Sequence, residues 1–433
     1  MASIDPQSVA LDPEAAATLA DQGLRYDSVR SDSDGFPHYL QAMNRGFLDA
    51  ESTDAQVTDS RDGMRDRRMV GVYEPLLAHP EVPVATVESW VADLTVEPGR
   101  TIPMWAISGV TVAPTHRRRG IAKAMLEGEL RAAAKAGLAL AGLTVSETTI
   151  YGRWGFAPAV FTTNWTIQTR RARWIGPIPA GRLEFVPRDE LPDALAALHE
   201  RVRLQRAGEV NGWPHLWRWT AGLHPDADGQ RKIRAVRHTD PDGTVRGLVV
   251  FTLVASPDDF TDHRLEIKLL LADGTDAYAA LWRFALEHDL VTTVTATLCA
   301  SDEPLRWMIA DQRAAKVTHT DHEWLRVLDV PAALRARRFS TEDTLVLKIN
   351  DPLGFAEGTW RLTATEDGAV QVEATDEPAQ VTLSVNALGS LLLGGVAAAT
   401  LRAAGLITAD DASLRTLHAL FTAERPPHLS LWY

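Results

Sequence analysis

Apolar positions along this chain recur with two periods, about 3.6 residues and two, and the places where the period changes mark its elements. The sharpest change lies at residues 110–135. Val110-Thr111-Val112 is a β-branched run that predicts a strand, and Pro114 stops it by removing a backbone donor. From Gly120 to Lys135 the spacing is helical, with Ile121, Met125 and Leu130 turned to a sheet and Glu127, Glu129 and Arg131 to solvent. Upstream, Asp12-Pro13 opens a short helix running to Gly23, and Phe36, Tyr39, Leu40, Met43 and Phe47 fall at helix spacing within residues 30–47. Strands are expected at 69–73 and 82–94, with a dense charged segment at 61–68 and a turn at Pro98-Gly99. Gly137 caps the long helix, and 138–145 is an apolar strand.

The same content returns further along: strands at 248–255 and 265–271, a helix at 276–288 and a strand at 291–298. From 325 the rhythm changes again. A helix ending near Arg338 is followed by strands at 345–349, 360–363, 370–374 and 381–385, a hairpin turn at Gly368, and helices from Asn386.

Length then bounds the domain count, because 433 residues exceed one core and suggest two to four domains. The net charge of −13 argues against a nucleic-acid partner, which needs an extended basic surface. Residues 1–100 hold 18 Asp plus Glu against 8 Arg and no Lys, a net of −10. Such a surface suits a polycationic substrate, and it also serves solubility. Cys299 is the single cysteine, so there is no disulfide framework, no thiolate metal cluster and no metal expected; a reducing cytoplasm fits. The first residues lack the basic and apolar regions of a signal peptide, and the uncharged run 378–401 carries too many polar and glycine positions for a membrane span. Trp213, Trp217 and Trp219 gather near His215, either as packing at a domain junction or as a pocket wall.

Chemistry concentrates at the turn between strand and helix. Arg117, Arg118 and Arg119 bring positive charge, Gly120 lets backbone approach a ligand, and the N–H groups of Ile121 and Ala122 open a helix, which together make an anion site. The spacing Arg117-x-x-Gly120-x-Ala122 resembles the pyrophosphate loop of the GCN5-related N-acetyltransferases. Downstream, Ser146-Glu147-Thr148-Thr149-Ile150-Tyr151-Gly152-Arg153-Trp154-Gly155-Phe156 resembles the Tyr-Gly-Arg-Phe-Gly-Tyr segment of the enhanced intracellular survival acetyltransferases.

That resemblance implies an α+β architecture of tandem GCN5-related acetyltransferase folds, mixed sheets with flanking helices, followed by a sterol-carrier-protein-like α/β domain. The boundaries implied are 1–157, 158–324 and 325–433. It implies acetyl-coenzyme A as acyl donor, held by Val110, Thr111, Val112, Arg117, Arg118, Arg119, Gly120, Ile121, Ala122 and Ser146, in a gap between splayed strands. Tyr151 is implied as general acid and the Tyr433 carboxylate as base, with the Val110 N–H facing the oxyanion and Phe36, Ser108 and Trp432 at the acceptor. The second fold reads as degenerate, since Ala272-Asp273-Gly274-Thr275 stands where the arginines should be. The expected activity is N-acetylation of small polycationic amines such as aminoglycosides, in a homo-oligomer, a hexamer by resemblance, with no membrane partner. A lipid or acyl-coenzyme A binding protein using the third domain is the alternative.

Overall fold

The structure, a computed structural model, describes residues 4–225 and 228–433; the first three residues of the acidic N-terminal stretch lie outside it. The first unit contains α1 (Pro13–Ala20), β1 (Arg25–Val29), α2 (Phe36–Gly46), α3 (Asp54–Gly63), β2 (Arg68–Tyr73), β3 (Ala85–Glu97), β4 (Arg100–Val112), α4 (Ile121–Lys135), β5 (Leu140–Thr144) and α5 (Thr148–Tyr151). Asp12 caps α1 by accepting from the Ala15 N–H at 2.8 Å. Residues 61–63 of the charged segment belong to α3, a helix whose capping box joins Thr53 and Gln56. Such a polar helix shows little apolar period, which is why sequence reading passed over it.

The second unit contains β6 (Ala157–Gln168), α6 (Thr169–Ala172), β7 (Arg182–Phe185), α7 (Leu191–Arg203), α8 (Pro214–Thr220), β8 (Arg234–Thr239), β9 (Val245–Val254), β10 (His263–Ala272), α9 (Thr275–Leu286), β11 (Val291–Ala300) and β12 (Ala315–Val327). All twelve strands join in one sheet, in the order β1-β2-β3-β4-β5-β12-β6-β11-β10-β9-β8-β7. The seam is β12. It pairs antiparallel with β5 from Glu323↔Thr144 to Val327↔Leu140, and with β6 on its other side. The boundary read at 324/325 therefore lies inside a strand that runs to Val327.

The third unit contains α10 (Val330–Arg335), β13 (Asp343–Asn350), β14 (Gly358–Ala364), β15 (Val370–Ala374), β16 (Val381–Ser384), α11 (Val385–Leu391), α12 (Ala398–Ala403), β17 (Ile407–Ala409) and α13 (Asp411–Phe421). Its five strands are ordered β15-β14-β13-β16-β17, with helices packing Leu388, Leu391, Leu417 and Phe421 on Leu345, Leu347 and Ile349. This core is continuous with that of the other units through Leu325, Val327 and Leu334. At the same junction, Arg326 and Asp351 form a fully buried ion pair at 2.7 Å.

One reading of helix α4 is corrected. Glu129 does not face solvent but is buried under the sheet, accepting from Ser89 Oγ at 2.6 Å, Trp105 Nε1 at 3.1 Å and Arg68 Nε at 3.2 Å. Three donors offset its desolvation, so a charge sits on a face that apolar spacing alone assigns outward.

Candidate active site

Parallel strands β4 and β5 pair only at Trp105↔Ala141 and Ala106↔Gly142, and then part. On its other edge β4 carries a bulge, where Thr86↔Thr111 steps to Glu88↔Ser108. Gly109 takes the strain at φ 59°, and Thr86 Oγ1 holds its carbonyl at 2.8 Å. The edge from Ile107 to Val112 is thereby left without strand partners on the β5 side, and its amides are available to a ligand bearing peptide-like groups.

At the mouth of this cleft the chain passes through a 3-10 turn at Pro114–His116 and the three arginines into α4. Gly120 sits at φ 78° as the helix N-cap, with no side-chain cap on the first turn and open space where a Cβ would stand. Arg117 and Arg118 are exposed and have no ion pair among the described residues, whereas Arg119 is taken by Glu74, 3.0 Å away. Glu74 also meets His116 Nε2 at 2.6 Å, bracing the turn from beneath. The uncapped N-terminus, the two unpaired guanidinium groups and the open glycine suit a diphosphate.

Beyond β5, Ser146 is exposed and the chain turns through α5 to Tyr151. Tyr151 is buried beside Trp154 and Phe156, each with ring centroid 6.3 Å away. Burial pushes its phenol up to about 12, and Glu147 adds to the effect. This phenol is therefore less acidic than an ordinary tyrosine. It remains protonated at neutral pH and is a hydrogen-bond donor throughout.

The last eight residues run from the third unit back into the cleft. The His428 N–H donates to Ala207 O at 2.8 Å, and buried Glu209 accepts from Ser430 N and Oγ at 3.1 and 3.0 Å. His322 Nε2 meets Leu431 O at 2.8 Å, Trp432 stands half-exposed against His322, and Thr144 Oγ1 donates to the Tyr433 main-chain oxygen. Thr144 is the last residue of β5, so the Tyr433 carboxyl lies where β4 and β5 separate. The Tyr433 phenol donates to Glu323 at 2.8 Å and its ring packs on Trp90 at 5.5 Å.

Phe36 belongs elsewhere. It is fully buried in a cluster with Val29, Tyr39, Leu40 and Met69, with the Arg61 guanidinium 5.2 Å from its ring, so it presents no surface to an acceptor. The part of α2 that reaches the cleft is its other end. A Cβ on Gly46 would strike Thr111, and a Cβ on Gly109 would lie 3.1 Å from Met43 Sδ. Ser108 is half-buried opposite Glu88.

Three charged groups near the cleft, Arg67 and Glu323 buried and Glu88 half-buried, were missed. Burial raises the Glu88 carboxyl, whose Oε2 has no hydrogen-bond partner among the described residues, against the pull of Arg67. Arg67 lies 3.1 Å over Trp90 and 4.8 Å from Trp213, and burial lowers it to about 10. Glu323 is pushed up to about 8 by burial. For Glu88 and Glu323 the only signal was a charged residue inside an apolar β3 or β12 run, where a strand buried on both faces makes such residues read as outliers, and Arg67 was lost within the charged segment at 61–68.

In the second unit β10 and β11 repeat the parting. They pair from His263↔Val291 to Ile267↔Ala296 and then separate around a cavity of about 400 Å³ lined by Leu271, Tyr278, Trp282, Cys299 and Glu303. Asp273 in its loop pairs with Arg246 at 2.9 Å, so this mouth carries an acid where the first carries arginines. Of the tryptophans near His215, Trp217 is buried against His199, while Trp219 is half-exposed and stacks on His224.

A cleft between parting parallel strands, closed at one end by an uncapped helix behind an arginine turn, is the donor site of a GCN5-related N-acetyltransferase. Residues 29–159 and 208–327 each match the acetyltransferase (GNAT) domain, and 330–430 match the sterol carrier protein domain. An uncharacterised N-acetyltransferase of Streptomyces avermitilis is 35% identical over 398 residues, 87% of this chain and 93% of that one. N-acetyltransferase Eis of Mycobacterium tuberculosis is 34% identical over 345 residues, 77% of this chain and 81% of that one. The crystal structure of Eis1 from Mycobacterium abscessus superposes with TM-score 0.79 at 27% identity, over 95% of this chain and all of that one. A GCN5-related N-acetyltransferase from Anabaena variabilis, 19% identical with TM-score 0.80, shares the fold over 94% of this chain and all of its own. The chain belongs to the enhanced intracellular survival family of GCN5-related N-acetyltransferases. It is an N-acetyltransferase, and its fold implies acetyl-coenzyme A as donor.

Proposed function

We propose that this enzyme transfers acetyl from acetyl-coenzyme A to primary amines of small polycationic acceptors, aminoglycosides among them, at more than one position. The observation that carries this reading is the Tyr433 carboxyl at the parting of β4 and β5, on a residue whose phenol contacts the buried carboxyl Glu323. An amine attacks only when neutral, and a primary alkylamine near pH 7 is mostly protonated, so the site has to receive a proton. The Tyr433 carboxylate is the proposed base. The acidic first hundred residues favour cationic acceptors over neutral ones.

On the donor side, Arg117, Arg118, Gly120 and the N–H groups of Ile121 and Ala122 hold the diphosphate, with Arg119 bracing through Glu74, and Ser146 at the rim. The open edge of β4 at Val110, Thr111 and Val112 pairs with the amide-bearing arm. The Val110 N–H donates to the oxygen that gains charge as the amine adds. Tyr151 donates a hydrogen bond to the departing sulfur. A phenol near 12 holds its proton more tightly than a thiol near 8.5, so stabilisation of the thiolate by donation, rather than complete transfer, is the role this environment supports. Ser108 and Trp432 contribute to the acceptor side; Phe36 is left out.

Thiol release from acetyl-coenzyme A with an aminoglycoside panel and a lysine peptide tests the reading. Amine-dependent turnover is expected, falling about 100-fold in Tyr151→Phe; no turnover with any amine overturns it. One residue appended after Tyr433 converts the carboxylate to an amide and is expected to lower kcat by a similar factor, with an N-terminal tag as control. Equal rates remove the base. The assembly proposed is a homo-hexamer, to be checked by light scattering against the 47.4 kDa chain.

A further inference from the structure

Asp59 on α3, His215 on α8 and His224 just beyond α8 converge where the first acetyltransferase unit meets the second. Both imidazoles turn Nδ1 toward the same carboxylate oxygen. Asp59 Oδ2 is 2.9 Å from His224 Nδ1, within hydrogen-bond distance, and 3.7 Å from His215 Nδ1, and one donor atom from each of the three residues lies within 4.8 Å of the others. Metal–ligand bonds of roughly 2.0–2.1 Å at a tetrahedral angle put neighbouring donors about 3.3 Å apart. The two separations from Asp59 Oδ2 bracket that value.

The surroundings orient these donors. Arg218 Nη2 stands 3.7 Å from Asp59 Oδ1, the other oxygen, which leaves Oδ2 turned to the imidazoles. Trp219 stacks on His224 at 4.8 Å and 20°, fixing its plane, and the two imidazole rings stand at 89°. Gly63, at the end of α3, would put a Cβ 2.5 Å from the His215 ring, so a larger residue there would displace the ligand. The side chains are 13–21% exposed, enough to admit an ion and a water.

We propose that Asp59 Oδ2, His215 Nδ1 and His224 Nδ1 bind one divalent first-row transition ion of the zinc class, with water at the fourth position. Two imidazoles and one carboxylate suit zinc or cobalt(II) better than hard calcium or magnesium. This departs from the metal-free expectation, which weighed cysteine alone. The ion would staple α3 to α8 two residues from Trp213, whose ring is 6.0 Å from Trp90 and 4.8 Å from the Arg67 guanidinium. It is a structural clamp behind the acceptor side.

The test uses the full chain stripped with chelator and titrated with zinc by calorimetry and with cobalt(II) by visible absorption. Wild type is expected to bind one more zinc ion than His224→Ala or Asp59→Asn, with tetrahedral cobalt bands and a zinc-dependent rise in Tm that both variants lack. The loss is at least the roughly 10- to 100-fold in affinity that removal of an outer partner costs. Circular dichroism checks folding, and His215→Gln gives a second variant of similar volume. No saturable zinc binding by wild type overturns the proposal, as does binding undiminished in the folded variants.

Discussion

Glu323 shows how one residue couples burial to pH. Its carboxyl is fully buried, accepts from the Tyr433 phenol at 2.8 Å, and is raised from 4.5 to about 8, chiefly by desolvation. Between those values the folded chain keeps a proton that the unfolded chain releases, so this group's contribution to stability falls as pH rises from about 4.5 to 8 and is level beyond. Glu323→Gln keeps the acceptor and removes the titration. Its Tm is expected to exceed wild type by an amount that grows from pH 5 to pH 8, as thermal melts at each pH will show; a constant difference refutes the assignment. The residues on display in the sequence were those whose type and spacing form a local motif, Arg117, Gly120 and Tyr151, the donor-side residues proposed above. Glu129, Glu88 and Glu323 were illegible because their partners come from other strands, and Phe36 because a helical aromatic looks the same against a core as against a substrate.

At the level of elements, the cleft owes its shape to where pairing stops. Two parallel pairs and a bulge open β4 from β5, and neither the count of paired residues nor the bulge is written in the apolar alternation. The Tyr151 loop is likewise held from outside: Asn386 at the start of α11 donates from Nδ2 to Gly152 O and Phe156 O, both at 2.9 Å. Gly155 within that loop, at φ 84°, leaves room for Arg326, whose Nε would sit 2.6 Å from a Cβ there. Asn386→Ala removes two hydrogen bonds of about 1 kcal/mol each. We expect acetyl transfer to fall by up to about 30-fold, the equivalent of that energy, and amide exchange at residues 152–156 to quicken while the melting profile shifts little. Unchanged exchange would show that the loop holds itself. The sterol-carrier-like unit thus buttresses the loop that carries Tyr151.

For the whole molecule, the three units are bound through shared structure rather than through linkers. Strand β12 closes one twelve-stranded sheet, and its Arg326 makes a doubly hydrogen-bonded pair with Asp351, which also accepts from Ala356 N at 2.8 Å. Breaking a buried pair strands a charge, at a cost of about 3–5 kcal/mol. Asp351→Ala is expected to lower the urea midpoint accordingly. Arg326→Met with Asp351→Ala should recover much of the loss, and a single variant as stable as wild type would show that the charges are hydrated.

The strand, arginine turn and helix at 110–135, the repeat of strand and helix content and the change of rhythm after residue 325 were determined by the sequence alone, because each depends on neighbours within a turn or two. What tertiary structure decided is everything that depends on residues far apart. It fused two acetyltransferase units through β12, carried the Tyr433 carboxyl to Thr144, and brought Asp59 to His215 and His224. No local period encodes such meetings, since they are set by which strands find each other and by the desolvation that those pairings make tolerable.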